Sequence, residues 1–214
     1  MRLPMPVLTI TSRKGGCGKT MLAAVVTGSL AAQGVDVALL DSDPNGGAHR
    51  WATQTHPGGT IHAYAEADAE RLAELLPTLA AQHAALVVDT AGFGNQAAAV
   101  AIAGADLVLV PVSPGEGDLV EAQRTVAFVS GLSRSTRRTI PVKVVANRIR
   151  KGTSISRHVL AELDTLELPH LRTAISEAVA YAEIGFTGAM PAEGAPAAEV
   201  AALLAELREA GGLP

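Results

Sequence analysis

The chain has 214 residues, 48% of them hydrophobic and 18% charged, with a formal net charge of −4. That length and balance fit one globular domain with a large core, and no apolar run approaches the roughly 18 residues of a membrane span. The single cysteine, Cys17, excludes an internal disulfide and cannot by itself build a zinc or iron–sulfur centre.

The N-terminus passes almost at once into Val7-Leu8-Thr9-Ile10 without a secretory cleavage site, which predicts a cytoplasmic protein. Read in chain order, the pattern predicts a strand over Val7 to Thr11 and a helix over Thr20 to Gln33. A strand over Val35 to Leu40, a helix over Gly47 to Thr55 and a strand over Thr60 to Tyr64 follow. Next come a helix over Asp68 to Gln82, a strand over Leu86 to Asp89, a helix over Gln96 to Ala103 and a strand over Leu107 to Val112. Helices over Asp118 to Leu132 and Ser154 to Leu166 flank a strand over Val142 to Asn147. Gly185 to Pro196 reads as a loop before a last helix over Ala197 to Ala210. All strands but the third are continuously apolar, as expected where helices cover both faces. Strand and helix alternate throughout, so the fold class is α/β: a mostly parallel sheet flanked by helices on both faces, in a single domain over residues 1–214.

Between the first strand and first helix stands Lys14-Gly15-Gly16-Cys17-Gly18-Lys19-Thr20. The strict Gly-x-x-x-x-Gly-Lys-Thr spacing fails, because Arg13 occupies the first glycine position. The context nonetheless fits a phosphate-binding loop: an apolar strand, three glycines, then a helix with Lys and Thr in its first turn. Glycines allow the backbone N–H groups to wrap phosphates, and the helix N-terminus adds partial positive charge. Lys19 is expected at the β- and γ-phosphates of ATP and the Thr20 hydroxyl on Mg²⁺. Asp41, Asp43 and Asp89 end predicted strands and therefore face the same crevice, where carboxylates require a cation or a positioned water beside polyphosphate.

Charge is unevenly distributed. From Ala122 to Ala161 there are nine basic residues and no acidic ones, leaving 8 basic against 21 acidic residues, a net of −13, in the rest. Such a block could focus positive potential on one surface.

The loop with its additional Lys14 resembles the deviant Walker A motif of the ParA/MinD family. Asp41-Ser42-Asp43-Pro44-Asn45-Gly46 resembles that family's Asp-x-Asp-Pro-Gln-Gly segment, with Asn45 in place of Gln. Val87-Val88-Asp89-Thr90-Ala91-Gly92 is similar to its Walker B and switch II region. Ala105 to Val112, Val144 to Arg148 and Val179 to Glu183 continue the likeness, the last toward small ParA proteins lacking an N-terminal DNA-binding extension.

The resemblance implies a P-loop ATPase whose nucleotide is bound by Gly15, Gly16, Cys17, Gly18, Lys19, Thr20 and Met21. Met21 departs from a second Thr common in the family. It implies Asn147 at the adenine and Gly92 near the γ-phosphate. Thr20, Asp41 and Asp89 would serve Mg²⁺, Asp89 through a water. Asp43 would orient the attacking water, and Lys14 would reach the partner's phosphates across a homodimer with ATP at its interface. Arg134, Arg137, Arg138, Arg148, Arg150 and Lys151 are the candidates for nonspecific contacts to double-stranded DNA. A ParB-like cargo-bound protein would stimulate hydrolysis, and the ATP form would sit on the nucleoid. A membrane partner is not expected, because Glu199 to Ala210 carries three glutamates and no aromatic anchor. The expectation is thus a ParA-type partition ATPase, the alternatives being a positioning ATPase for protein cargo or a metabolic P-loop ligase resembling dethiobiotin synthetase. A binding module that keeps ATP without turnover is disfavoured by Asp43.

Overall fold

Short runs of β-branched and leucine residues build a seven-stranded sheet in the computed structural model, which describes residues 6–92 and 95–214. Its elements are β1 (Val7–Ile10), α1 (Lys19–Ala32), β2 (Val37–Asp41), α2 (Gly47–Arg50), β3 (Ile61–Ala65), α3 (Ala69–Gln82), β4 (Ala85–Asp89), α4 (Gln96–Gly104), β5 (Leu107–Val112), α5 (Glu116–Thr136), β6 (Val142–Ile149), α6 (Ser154–Thr165), β7 (His170–Ser176), α7 (Val179–Thr187) and α8 (Gly194–Glu209). The strands lie in the order β3-β2-β4-β1-β5-β6-β7, and every neighbouring pair is parallel. This is the α/β arrangement the alternating pattern predicts.

Continuously apolar strands mean that both sheet faces are covered, and the core divides accordingly. Along β2, Val37 and Leu39 enter one cluster with α1 and α8, whereas Ala38 and Leu40 enter another with α3 and α4. Along β5, Leu107 and Leu109 face the α1 side, while Val108, Val110 and Val112 pack toward α5 and α6. Helix α8 joins through Val200, Leu203, Leu204 and Leu207, a spacing that puts one stripe on the core.

Three details extend the sequence reading. Residues Gly47 to Thr55 do not form one α-helix: after α2 the backbone widens into a π-helical segment, Trp51–Thr55, and the Trp51 indole donates to the Ile184 carbonyl at 2.9 Å. The segment from Gly185 to Pro196 is not all loop, since Gly185 to Thr187 finish α7 and Gly194 to Pro196 open α8. Strand β7 is an additional element at the sheet edge, with Leu171 and Ile175 buried two register steps apart.

An edge strand leaves backbone donors unpaired, and here carboxylates of α8 take them. Glu206 accepts from the Arg172 and Thr173 amides, each at 2.8 Å, and Glu199 accepts from the Ser176 amide at 3.0 Å and the Tyr181 hydroxyl at 2.9 Å. Burial alone would raise both carboxyls, but these hydrogen bonds outweigh it and hold each below the usual carboxylate range. Among the described residues, no helix is long and apolar enough to cross a membrane.

Candidate functional site

The carboxyl ends of β1, β2 and β4 open onto the loop between β1 and α1. Gly16 and Gly18 have φ of +78° and +95°, a region that side chains disfavour. At Gly18 a Cβ would also lie 2.3 Å from Asn147 Nδ2, so glycine is required there twice over. The Lys14 carbonyl, 3.4 Å from both, accepts from Cys17 Sγ and Lys19 Nζ, which folds the loop over itself. Lys19 is buried.

Asp68, Asn95 and Thr153 cap α3, α4 and α6 with their side chains, but α1 begins on Gly18 with no side-chain cap. Its first-turn N–H groups therefore remain available to an anion, with the helix dipole behind them.

Parallel register sets Asp41 beside Asp89. Asp89 Oδ2 accepts from the Thr20 hydroxyl at 2.7 Å, while Asp89 Oδ1 is buried with no hydrogen-bond partner. Burial pushes this carboxyl up to about 7; the Thr20 hydrogen bond and Lys19 pull it down, and Asp41 and Asp43 push it further up. An orphaned carboxylate oxygen next to a threonine hydroxyl fits Mg²⁺, an oxygen-seeking ion that retains waters. Asp41 is differently committed. Its two oxygens accept from the Asp43 and His49 amides, each at 2.9 Å, so it shapes the segment carrying Asp43 and the start of α2. Asp43 Oδ1 accepts from the Asn45 amide and side chain, both at 2.9 Å, in an exposed turn where Asp43 itself is half-buried.

Beside the loop lies a cavity of about 600 Å³, within the range of small-molecule sites, whose lining includes Thr20, Met21, Arg148, Ser176, Glu177 and Tyr181. Met21 thus reaches the site. Asn147, which the resemblance implies at the adenine, is fully buried under the loop: its Nδ2 donates to the Cys17 carbonyl at 2.8 Å and its Oδ1 accepts from the Arg148 amide at 3.0 Å. Gly15 and Gly92 would each meet nothing within 4 Å if given a Cβ, so chain packing alone does not demand glycine at either. Phe93 and Gly94, which follow Gly92, lie outside the described residues.

The two lysines diverge. Lys19 turns into the loop, whereas Lys14 turns out to an ion pair with Asp118 in the first turn of α5. Arg13 does likewise, meeting Glu121 at 3.0 Å. Asp118 and Glu121 were missing from the sequence reading; their signal is an acidic pair three apart at the start of a helix, on one face.

The basic block does not form one patch. Arg134, Arg137 and Arg138 stand before β6, and Arg148, Arg150 and Lys151 after or at its end. Eight extended residues separate these groups by roughly 25 Å, at opposite ends of the sheet. Arg138 is engaged internally, donating to the Ala103 carbonyl at 2.8 Å and to Asp106 at 2.7 Å. Arg150 pairs with Glu177, and Lys151 approaches Glu199 at 3.3 Å.

The sequence model of the VirC1 protein family matches residues 5–205. A virC1 protein of Rhizobium rhizogenes is 30% identical over 185 residues, covering 83% of this chain and 79% of that protein. A ParA protein of Rhizobium radiobacter is 30% identical over 141 residues, covering 66% of this chain; the match spans 64% of that protein's own length. Among solved structures, an ATP complex of Cyanothece McdA shares the fold with a TM-score of 0.81 at 18% identity, covering 100% of this chain and 98% of the other.

Proposed function

The chain belongs to the VirC1 family, within the ParA/MinD group of P-loop proteins, and from that premise we propose a partition-type ATPase that dimerises around ATP. The divergence of the two loop lysines carries this reading. Lys19 serves the phosphates of its own loop, and a lysine that its own site does not use is available to a second copy.

In this reading the free amides of α1 and the Lys19 ammonium hold the β- and γ-phosphates. Thr20 and Asp89 would hold Mg²⁺, Asp89 through a water. The ion these two residues would hold would supply positive charge to the phosphate oxygens. Asp43, set in place by Asp41, orients the attacking water. Lys14, released from Asp118, contacts the partner's phosphates in trans. The ATP dimer binds double-stranded DNA without sequence preference and sits on the nucleoid. Arg148, Arg150 and Lys151 are its foremost contacts, being exposed at the nucleotide end. A ParB-like, cargo-bound protein stimulates a slow intrinsic hydrolysis.

Lys14→Ala is expected to bind ATP normally and to stay monomeric with ATP by light scattering; a variant that dimerises like the parent removes the in-trans role. The parent protein should bind unrelated duplexes with ATP only, and several-fold more weakly at higher salt. An ATP dimer that ignores DNA would point to protein cargo. Absence of both dimer and DNA binding would favour the metabolic ligase.

A further inference from the structure

At the end of the sheet opposite the phosphate loop, three residues with no part in nucleotide chemistry converge. Asp36 immediately precedes β2, His62 is the second residue of β3, and His83 joins α3 to β4. The Asp36 carbonyl accepts from the Ala84 and Ala85 amides at 2.8 and 3.2 Å, which ties two of the three segments together through the backbone.

Both imidazoles turn to one carboxylate oxygen. Asp36 Oδ1 lies 3.0 Å from His83 Nδ1 and 3.3 Å from His62 Nε2. The three donor atoms fall within 4.8 Å of one another, and the rings stand 4.5 Å apart, inclined at 33°. His83 is buried, whereas the Asp36 and His62 side chains are 45% and 55% exposed, so the group opens to solvent.

As a purely structural device this convergence gains little. Solvent screens a pair as exposed as His62 with Asp36, and crowding two rings onto one oxygen adds nothing that a single ring would not. As a ligand set it is well formed. Tetrahedral zinc with nitrogen and oxygen ligands near 2.1 Å separates neighbouring donors by about 3.4 Å. Two of the three donor pairs already stand close to that separation, and only the two imidazole nitrogens need to adjust.

The surroundings supply the outer support that metal-binding histidines require. The Tyr64 hydroxyl lies 3.2 Å from His83 Nε2, the nitrogen not aimed at Asp36. With Nδ1 on an ion, Nε2 carries the ring proton and donates it to the Tyr64 oxygen, which fixes the ring. Imidazole with a single carboxylate suits zinc and its neighbours in the first transition row, and does not suit Mg²⁺.

We propose that Asp36, His62 and His83 bind one zinc-class divalent ion, with a water in the remaining position. The ion fastens the edge strand β3 to β2 and to the connection between α3 and β4. The site is independent of the nucleotide reading and lies at the far end of the same strands.

The test titrates the untagged 214-residue chain with Zn²⁺ by calorimetry and with Co²⁺ by visible absorption, with and without saturating Mg²⁺. One ion per chain is expected, bound equally well in both conditions, with the absorption of tetrahedral Co²⁺. His62→Ala, an exposed position whose loss leaves the core intact, should weaken Zn²⁺ at least 10-fold, and Tyr64→Phe by a smaller factor. ATP turnover should be unchanged in His62→Ala. No Zn²⁺ binding by the parent chain, or equal binding by parent and His62→Ala, overturns the proposal. Displacement of the ion by Mg²⁺ would place it at the phosphate loop and overturn it equally.

Discussion

The region around β1, β2 and β4 and the region around β6, β7 and α8 use their polar side chains in opposite ways. In the first, groups are left uncommitted: α1 has no side-chain cap and Asp89 Oδ1 has no partner. In the second, carboxylates are bound to the fold itself, Glu206 on the Arg172 and Thr173 amides and Glu199, through Oε2, on the Ser176 amide. Both Asp89 Oδ1 and Glu199 Oε1 are buried without a hydrogen bond, but the Lys151 ammonium stands 3.3 Å from Glu199 Oε1, whereas Asp89 Oδ1 has room for a cation from outside the chain.

The largest expected effect lies in the uncommitted region. Lys19→Ala removes the buried ammonium proposed to hold the phosphates and should weaken ATP about 100-fold, near 3 kcal/mol, by calorimetry. The melting temperature without nucleotide should stay close to the parent's, and a collapse of the fold would break the distinction.

Substitution in the committed region should do the reverse. The folded Glu199 and Glu206 carboxyls titrate below their unfolded value near 4.3, so their stabilisation is present above that pH and is lost as pH falls toward the folded values. Glu206→Gln should therefore cost about 1 kcal/mol at neutral pH and less in acid, read by urea unfolding across pH 3 to 7. ATP affinity should not change.

Asp118→Ala tests the border between the regions and should have the smallest effect. Breaking a partly exposed ion pair frees Lys14 at a stability cost of about 0.5 kcal/mol. ATP-dependent dimerisation, measured by light scattering, should tighten by roughly two-fold. Weaker dimerisation would mean that Asp118 holds Lys14 in its working position rather than away from it.

What could be read from the sequence follows the same division. The phosphate loop was legible because its chemistry is local: three glycines, Lys19 and Thr20 act within one turn. Asp41 and Asp89 were legible as strand ends, because parallel strands bring their carboxyl ends together. Strand β7 was not, since its alternating pattern is that of an edge rather than a buried strand, and its donors depend on glutamates 23 to 34 residues away. The basic block is divided by the same logic: the sixth strand stands between its two halves and carries them to opposite ends of the sheet. Asn147 is the subtler case. A buried amide that satisfies the loop is indistinguishable in sequence from one that meets a base.

Cys17 carries a practical consequence. The chain's one thiol is 2% exposed and lies inside the phosphate loop, hydrogen-bonded to the Lys14 carbonyl. A thiol reagent can reach it only when that loop opens. The rate of its modification is therefore a clock for loop breathing, readable by mass spectrometry without any engineered label, and ligands that close the loop should slow it.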